Sequence, residues 1–311
     1  MSRIEQWFEF DVRGCRQAVL VRGRSDAPVL LVAQQGPGFP LICDAKVMER
    51  HLALEERFRV AWWDQRGTGR SPDASDAPLG LDELAADVTA IVERLCEALN
   101  AESVSVLGFS LGGTLALLAA QAGARIDRLV LVGPDVDFSR SEDFAWRFAR
   151  AEALRRGSAR TLRALDGIGP PPHLTSDQFM TRVKVVADLG GIQLGTSFVA
   201  MFLGVLWRLI SSRWYSLPQV VTALRGMLKT QTRTLPALRS LNLLAQPLRV
   251  KARVTIVQGR LDAAAPPELA SALIAHLDAE GGKRLVWLDE CAHNPHFEAA
   301  ELLRPILSAA L

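Results

Sequence analysis

Residues 108–113 read Gly-Phe-Ser-Leu-Gly-Gly and so contain the pattern G-x-S-x-G. A mostly apolar run, residues 103–107, precedes this segment, and a run of mostly small and apolar residues, 114–121, follows it. Where a buried strand turns sharply into a helix, glycines flank the serine because a Cβ would not fit, and the turn presents the hydroxyl above the sheet. The segment therefore predicts a nucleophile elbow with Ser110 as the nucleophile; the alternative is an ordinary turn between a strand and a helix.

Length and charge limit the classes of protein to which this chain can belong. Its 311 residues can bury a large core, either as one α/β domain or as one domain with an insertion. The 36 Lys and Arg residues nearly balance the 34 Asp and Glu residues, for a net charge of +2. This balance gives no reason to expect nucleic acid as a partner.

The cysteines and the N-terminus indicate a reducing compartment. Cys15, Cys43, Cys96 and Cys291 form no C-x-x-C pair and no spacing with histidine that is typical of a metal site. Reduced thiols are expected, and neither a metal nor a cofactor is predicted. The first ten residues mix charged with apolar side chains, so no secretory signal is predicted and a cytoplasmic location is expected.

The first half of the chain alternates between strand and helix patterns. Two short segments, 7–12 and 16–21, predict an antiparallel hairpin at one edge of a sheet. Uninterrupted apolar runs at 28–33 and 58–63 are typical of strands that are covered on both faces. Apolar residues then recur at spacings of four, three and four, which predicts an amphipathic helix over 82–99.

The pattern continues after the elbow and resumes near the C-terminus. Further strands are predicted at 126–132, 253–258 and 284–288, and helices at 267–277 and 297–310. Strands that alternate with helices favour an α/β fold, in which a mostly parallel sheet is flanked by helices on both faces.

Between the strands at 126–132 and 253–258, residues 141–248 show no convincing strand and read as several helices broken at 167–172, 190–191 and Pro218. We therefore predict a core made of residues 1–134 and 250–311 and a helical cap made of residues 135–249. An insertion at the carboxyl ends of parallel strands lies over the place where ligands bind.

A serine nucleophile needs a base, and histidine is the usual one because its pKa lies near neutrality. His293 follows the last predicted strand across a short loop, where it can reach a serine on another strand end. His296 is the alternative base, in the first turn of the closing helix. The other histidines lie in helical stretches or in the cap: His51, His173 and His276.

The base in turn needs a carboxylate that holds its tautomer and stabilises the imidazolium ion. Asp262 follows the strand 253–258 through a short turn, and the chain order Ser110, Asp262, His293 is the one expected for this arrangement. Asp135 is the alternative because it also follows a strand end. Asp289 is close to His293 in sequence but reads as a turn residue.

The oxyanion of the tetrahedral intermediate needs hydrogen-bond donors. The backbone N–H of Leu111, the residue after the nucleophile, is one candidate. The second is expected from the loop after the strand 28–33, where Pro37 has no N–H to donate. The candidates in that loop are Gln35, Gly36 and Gly38.

Several segments together resemble the α/β-hydrolase superfamily and, within it, the proline iminopeptidase-like branch. They are Gly-Pro-Gly at 36–38, Asp-Gln-Arg-Gly-Thr-Gly-Arg-Ser at 64–71, the elbow at 108–113, Asp262 and His293. The run D-Q-R-G-x-G-x-S is fairly specific for that branch. The resemblance implies an α/β-hydrolase fold with an inserted cap, a catalytic triad of Ser110, Asp262 and His293, and oxyanion donors from Gly36 and Leu111.

The sequence departs from that branch in three places. Gln34 and Gln35 stand where the family usually has His-Gly, and Phe109 and Leu111 flank the serine where an elbow G-G-S-W-G is usual. Aminopeptidases of the branch hold the substrate's ammonium group with acidic residues of the cap. Residues 189–251 contain eight Lys and Arg residues and no Asp or Glu, so proline-specific activity is disfavoured.

The cap also contains an apolar segment, because residues 189–207 carry no charge. The predicted structure is a buried cap helix that faces an apolar pocket; the alternatives are contact with a membrane surface, held to be unlikely, and a membrane span, which the glycines disfavour. The predicted pocket residues are Phe39, Phe109, Phe198, Phe202 and Trp207.

Four basic residues follow in the cap: Arg225, Lys229, Arg233 and Arg239. They are predicted to form a solvated helix face; the alternative is that they attract an anionic substrate or an acidic carrier partner.

The combined features predict a cofactor-free serine hydrolase. Its substrate would be a small molecule or short peptide, cleaved at an ester, thioester or amide next to an apolar portion, through an acyl-enzyme on Ser110. The alternatives are a proline iminopeptidase-type aminopeptidase and a biosynthetic acyltransferase or cyclase with the same triad. The sequence indicates no oligomeric state.

Overall fold

The computed structural model describes residues 2–311. In this part of the chain the strands are β1 (Arg3–Val12), β2 (Cys15–Arg24), β3 (Val29–Ala33), β4 (Arg59–Trp63), β5 (Val104–Phe109), β6 (Ile126–Val132), β7 (Arg249–Val250), β8 (Arg253–Gly259), β9 (Asp278–Ala279) and β10 (Lys283–Leu288). The helices are α1 (Ala45–Leu52), α2 (Leu81–Leu99), α3 (Leu111–Gln121), α4 (Phe138–Arg155), α5 (Ala159–Ile168), α6 (Ser176–Asp188), α7 (Phe198–Ser211), α8 (Leu217–Leu238), α9 (Pro267–His276), α10 (Pro295–Glu298) and α11 (Ala300–Ala310).

Eight strands form one sheet in the order β1-β2-β4-β3-β5-β6-β8-β10. β1 pairs antiparallel with β2, and β2 with β4, whereas the remaining neighbours are parallel. The predicted hairpin at one edge is therefore confirmed, and so is the mostly parallel sheet. Because β5, β6, β8 and β10 are consecutive parallel strands of the sheet, the loops after their carboxyl ends lie along one edge of it.

Helices cover both faces of this sheet, as the alternation of patterns predicted. On one face, α2 buries Val88, Ile91 and Leu95 against the strands, which is why its apolar residues repeat with the period of a helix. On the other face, α1 and α11 bury Met48 and Leu307. The four cysteines are free thiols and are buried in the core.

Five helices, α4 to α8, lie between β6 and β7, in the stretch assigned to the cap. One isolated bridge joins Asp137 to Asn242, at the two points where the chain leaves the core and returns to it. The boundaries 135–249 remain a proposal for the cap. Pro218 is in the first turn of α8, where its missing N–H would have had no partner inside the helix, so it begins this helix instead of breaking one.

The prediction of a buried helix over 189–207 is wrong. Residues 189–197 form no helix, and α7 begins only at Phe198, with Ser197 as its N-cap. Leu209 is the fully buried residue of this helix. Phe202 is 41% exposed and Trp207 is 69% exposed, so both point away from the core. No helix of residues 2–311 is long and apolar enough to cross a membrane.

Candidate active site

The turn between β5 and α3 has the geometry of a nucleophile elbow. Ser110 has φ 49° and ψ −125°, a conformation that costs energy for a residue with a Cβ. A Cβ on Gly108 would lie 2.5 Å from the Cα of Gly113, and a Cβ on Gly112 would lie 2.2 Å from the carbonyl oxygen of Gln34. Both glycines are therefore required by backbone contacts, and they fix the direction in which the serine projects.

An Asp–His pair lies at the same edge of the sheet. Asp262 follows β8 and His293 follows β10, and these two strands are parallel neighbours. The imidazole Nδ1 of His293 donates a hydrogen bond to Asp262 Oδ2 over 2.7 Å. Both residues are buried. The structure thus brings together the predicted base and the predicted acid, which are 31 residues apart in the sequence.

Asp262 is held by contacts of its own. Its Oδ1 accepts hydrogen bonds from the backbone N–H groups of Ala264 and Ala265, each over 2.8 Å. Its Oδ2 also accepts a bond from Gln258 Nε2 over 3.0 Å. A carboxylate that accepts several bonds at fixed angles can orient an imidazole ring, because its own rotation is blocked.

Electrostatic effects oppose each other at His293. Burial lowers its pKa, but the charge and hydrogen bond of Asp262, together with the charges of Asp135 and Glu298, outweigh burial and raise the pKa above its usual value. The pKa is raised because these charges stabilise the imidazolium form. A general base acquires this form when it takes a proton.

Gly133, which follows β6, makes room for this pair. Its φ is +55°, and a Cβ there would lie 3.0 Å from His293 Nδ1 and 3.2 Å from Asp262 Oδ2. Sequence reasoning missed this residue. The signal that could have identified it is a glycine directly after a buried strand of the sheet that carries the elbow.

Asp135, the alternative acid, lies in the site but in another position. The hydroxyl of Ser110 donates to Asp135 Oδ2 over 3.3 Å, and within residues 2–311 Ser110 Oγ makes no hydrogen bond with His293. Asp135 is half-buried, and loss of hydration raises its pKa to about 6, although the charge of His293 and the bond from Ser110 act in the opposite direction. Asp262, and not Asp135, occupies the position next to His293 Nδ1.

The candidate oxyanion loop passes beside the elbow, since Gly112 contacts the backbone of Ala33 and Gln34. Leu111 begins α3, and the first N–H groups of a helix have no partner inside it. Gly36 has φ +65°, which suits a glycine. Leu111 and Gly36 therefore remain the predicted donors.

Of the two glutamines that replace His-Gly, one forms a hydrogen bond within its own loop and the other reaches the loop after β10. Gln34 Nε2 donates to the carbonyl oxygen of Gly36 over 3.2 Å, and Gln35 Nε2 donates to Asn294 Oδ1. Gln35 thereby connects the candidate oxyanion loop to the residue that follows His293. The family's usual residues cannot form this pair of side-chain amide contacts.

Glu298 fixes the loop that carries His293. Its two carboxylate oxygens accept hydrogen bonds from the backbone N–H groups of Ala292 over 3.0 Å and Asn294 over 2.9 Å. It also accepts one from the N–H of Leu194, in the cap, over 3.2 Å. Sequence reasoning did not single out Glu298, because a carboxylate in a helix following a loop is a common surface feature.

The irregular cap segment 189–197 contacts both loops of the Asp–His pair. The N–H of Ala263 donates to the carbonyl oxygen of Gly191 over 2.9 Å, and the N–H of His293 donates to that of Ile192 over 3.0 Å. A Cβ on Gly191 would lie 2.7 Å from the Cβ of Ala263. Gly191 was predicted as a break between helices; in the structure it also lets the cap approach the catalytic edge.

The cap holds a buried ionic cluster on its inner side. Arg182 Nη2 lies 3.1 Å from Glu142 Oε1, and His173 Nδ1 lies 3.4 Å from the same oxygen. Burial lowers the pKa of Arg182 to about 10, against the opposing charges of Glu142 and Asp135. The cap acid Glu142, which could have received a substrate ammonium group, therefore already faces the cation of Arg182.

His296, the alternative base, packs against aromatic side chains. Its ring centroid lies 4.4 Å from that of Phe109 and 4.3 Å from that of Phe297. Burial lowers the pKa of His296 to about 3, assisted by the charges of His293, Arg208 and His51. A ring this hard to protonate is a poor general base.

The five residues predicted to line an apolar pocket lie in different surroundings, and two of them are on the surface. Phe109 is buried, and the Phe39 ring lies within van der Waals distance of the Cβ position of Gly36. Phe198 is half-buried beneath Lys184 Nζ, which lies 5.7 Å from its ring centroid. Phe202 and Trp207 are on the outer face of α7, so their assignment to the pocket is wrong.

The prediction of a solvated basic face on α8 is also wrong for most of its members. Arg233 is buried, with Nη1 2.8 Å from Asp73 Oδ2. Lys229 Nζ lies 2.8 Å from Asp76 Oδ1, and Arg239 Nη2 donates to the carbonyl oxygen of His173 over 3.0 Å. Arg225 is the exposed residue of the four. Little of this positive charge is therefore available to attract an acidic carrier partner.

The run D-Q-R-G-x-G-x-S has a structural role. Asp64 accepts bonds from the backbone N–H groups of Leu41, Ile42 and Arg70 and from the hydroxyl of Tyr215. Arg66 forms a bidentate pair with Asp87, with distances of 2.7 and 2.9 Å. This segment therefore links β4, α2 and the start of the cap helix α8, and positions the loop after β3.

No group of three or more His, Cys, Asp or Glu side chains in residues 2–311 is arranged to hold a metal ion. A serine on an elbow and an Asp–His pair, all at the carboxyl edge of a mostly parallel sheet, are the arrangement of an α/β-fold hydrolase. The sequence matches the alpha/beta hydrolase fold family over residues 28–300, and the chain belongs to that family.

Individual relatives support the same placement. A probable aminopeptidase from Bacillus subtilis is 25% identical over 96% of this chain and 94% of its own length. A pimeloyl-[acyl-carrier protein] methyl ester esterase from Nitrosomonas europaea is 30% identical over 80% of this chain and 83% of its own length. The protein is a hydrolase of this superfamily, and its resemblance to the proline iminopeptidase-like branch is confirmed.

Among solved structures, a proline iminopeptidase-related protein from Thermus thermophilus aligns with a TM-score of 0.65 at 20% identity. The alignment covers 100% of this chain and 99% of that one. At this level of identity the likeness concerns the fold.

Proposed function

We propose that this protein is a serine hydrolase that cleaves an ester, thioester or amide through an acyl-enzyme on Ser110. The observation that carries the proposal is the buried 2.7 Å hydrogen bond between His293 and Asp262, at the edge where the elbow presents Ser110. We place the cleaved bond next to an apolar group, which Phe39 and Phe109 would contact.

In the first step, Ser110 Oγ leaves Asp135 and turns toward His293 Nε2, which takes its proton as Oγ attacks the substrate carbonyl carbon. The C–O bond to Oγ forms while the carbonyl π electrons move to oxygen. The N–H groups of Leu111 and Gly36 would stabilise this oxyanion, each contributing about 3 kcal/mol to lowering the barrier.

The tetrahedral intermediate collapses when His293 donates the same proton to the leaving group. The acyl group then remains on Ser110 Oγ. A water molecule gives a proton to His293 and attacks the acyl carbon, after which the carboxylic acid departs and Oγ regains its proton. Asp262 keeps the proton of His293 Nδ1 in place throughout and needs no proton of its own.

A fluorophosphonate probe tests the identity of the nucleophile, because it phosphonylates an activated serine. Labelling is expected in the unchanged protein and in Ser139→Ala, which alters an exposed serine of α4. It is expected to disappear in Ser110→Ala and to fall strongly in His293→Ala. Persistent labelling of Ser110→Ala would refute the assignment.

A second candidate is an aminopeptidase. Its specific support is the Asp135 carboxylate, 3.3 Å from Ser110 Oγ, where an acidic group could contact a substrate amine carried by the carbon atom next to the scissile carbonyl. The Bacillus subtilis relative named a probable aminopeptidase adds to that support. A series of nitrophenyl acyl esters compared with amino-acid arylamides that carry a free amine separates the two candidates: preference for the arylamides would favour the aminopeptidase.

A further inference from the structure

The outer face of α7 is an exposed apolar surface. Its large side chains and their exposed fractions are Val199 62%, Phe202 41%, Leu203 55%, Trp207 69% and Ile210 50%. At the helical angle of about 100° per residue, these positions fall within one arc of the helix. They form one stripe along the fourteen residues of α7.

The opposite side of α7 is mostly apolar as well. Met201 and Val205 are half-buried there, and Leu209 is buried at the border with the outer stripe, about 20° from Phe202 around the helix. A helix on the surface of a globular protein normally carries polar residues on its outer face, so a helix that is apolar on both sides has a second partner besides the core.

The next helix repeats this feature. α8 follows after residues 212–216 and exposes Leu217 by 73%, Val221 by 48% and Leu228 by 68%. These positions are four and seven residues apart and share one face, on which Arg225 also lies exposed. Two successive helices of the cap thus present apolar side chains to solvent.

The exposed charges on these two helices favour an anionic partner. Residues 189–251 contain no Asp or Glu and eight Lys and Arg residues, of which Lys229, Arg233 and Arg249 pair with Asp76, Asp73 and Asp278 from other segments. Arg208 and Arg213 pair with Asp44 and Glu5, whereas Arg225 on α8 and Lys184 beside the start of α7 are exposed cations. Asp188, whose Oδ1 accepts the N–H of Phe198, is the acidic residue at this end of α7.

We propose that the outer faces of α7 and α8 bind the surface of a membrane that contains anionic lipids. Apolar side chains, an exposed tryptophan and flanking cations are the composition of helices that lie in the lipid–water interface. The fourteen residues of α7 extend over about 21 Å, which suits a helix lying flat.

A second copy of the chain is the less favourable occupant. A twofold interface places the same surface of each copy against the other, so Arg225 would approach an apolar face whose own exposed charge is also a cation. Anionic headgroups instead supply the opposite charge while the acyl region receives the apolar side chains.

Vesicle flotation tests this proposal with phosphatidylcholine vesicles and with vesicles of phosphatidylcholine mixed with phosphatidylglycerol. The unchanged protein is expected to float with the mixed vesicles, and Leu203→Ser and Trp207→Ser to weaken binding by about tenfold each. Arg225→Gln is expected to reduce binding to the mixed vesicles selectively, because it removes a cation but no apolar surface.

Matched controls are Leu154→Ser on α4 and Leu302→Ser on α11, where the leucines are 60% and 54% exposed. They are expected to bind as the unchanged protein does, and so is Ser110→Ala, because membrane binding does not depend on the catalytic serine. Thermal unfolding of every variant confirms that it is folded.

Failure of the unchanged protein to float with the mixed vesicles would overturn the proposal, and so would equal losses in the Leu154→Ser and Leu302→Ser controls. Concentration-dependent dimers that Trp207→Ser abolishes, without vesicle binding, would assign the surface to self-association instead.

Discussion

At the carboxyl edge of the sheet, each candidate catalytic residue is fixed by several contacts, whereas the outer residues of α7 in the cap face solvent. Asp262 accepts bonds from two backbone N–H groups and two side chains, and Ser110 is fixed by its flanking glycines. Trp207, by contrast, is 69% exposed. Backbone geometry determines where side chains lie at the edge, and packing against neighbours determines it in the cap.

This difference separates reactivity from substrate choice. The edge holds groups for proton transfer at fixed distances, as a reaction with a defined transition state requires. The cap is connected to the edge through Gly191 and Ile192, whose carbonyl oxygens accept N–H groups of both catalytic loops. Cap residues can therefore vary on their outer side without displacing Asp262 or His293.

Activity should fall most when Asp262, at the carboxyl edge of the sheet, is substituted. Asp262→Asn presents an amide to His293 and favours the wrong tautomer, so kcat is expected to fall by about 10⁴-fold. Asp143→Asn, which alters an exposed ion pair with Arg147 on α4 of the cap, is expected to leave kcat unchanged. Equal effects in steady-state ester hydrolysis would contradict the separation of edge and cap.

Two glycines offer the corresponding comparison for stability. Gly112→Ala places a methyl group against backbone at 2.2 Å and is expected to destabilise the fold by about 3 kcal/mol or more. Gly167→Ala lies in α5 of the cap, where a Cβ meets nothing within 4 Å, and is expected to stabilise by about 0.5 kcal/mol. Chemical denaturation measures both; a tolerated Gly112→Ala would show that the elbow is not rigid.

Within the cap, replacing a buried cation should lower the free energy of unfolding more than replacing an exposed one. Arg233→Gln leaves the half-buried Asp73 without its ion-pair partner and is expected to cost about 2 kcal/mol. Arg225→Gln removes an exposed charge and should change the unfolding free energy by less than about 0.5 kcal/mol. If denaturation finds the two variants equally stable, α8 is a solvated basic face after all.

A smaller change is expected in the pH dependence of activity when Asp135 is neutralised. The charge of Asp135 raises the pKa of His293, and the base must be neutral to act, so activity increases as pH rises through that pKa. Asp135→Asn removes this charge, and the acidic limb of kcat/KM is expected to move to lower pH. A limb that stays in place, or moves to higher pH, would exclude an electrostatic influence of Asp135 on His293.

The sequence predicted the sheet and the Asp262–His293 pair because strand ends of a parallel sheet meet at one edge. It could not predict that Ser110 bonds to Asp135, since both follow neighbouring strands and their rotamers depend on packing. Glu298 acts through hydrogen bonds from backbone N–H groups, which have no sequence pattern. Phe202 and Trp207 were placed in a pocket because hydrophobicity was taken to mean burial, and α7 is apolar on both faces.

Acyl transfer through Ser110 is tested most directly by acid-quenched mass spectrometry of the protein as it reacts with a nitrophenyl ester. We expect a burst of nitrophenolate equal to the amount of protein, and an acyl group on the peptide that contains Ser110. Product formation without an acyl-protein, or an acyl group on another residue with turnover retained in Ser110→Ala, would contradict it.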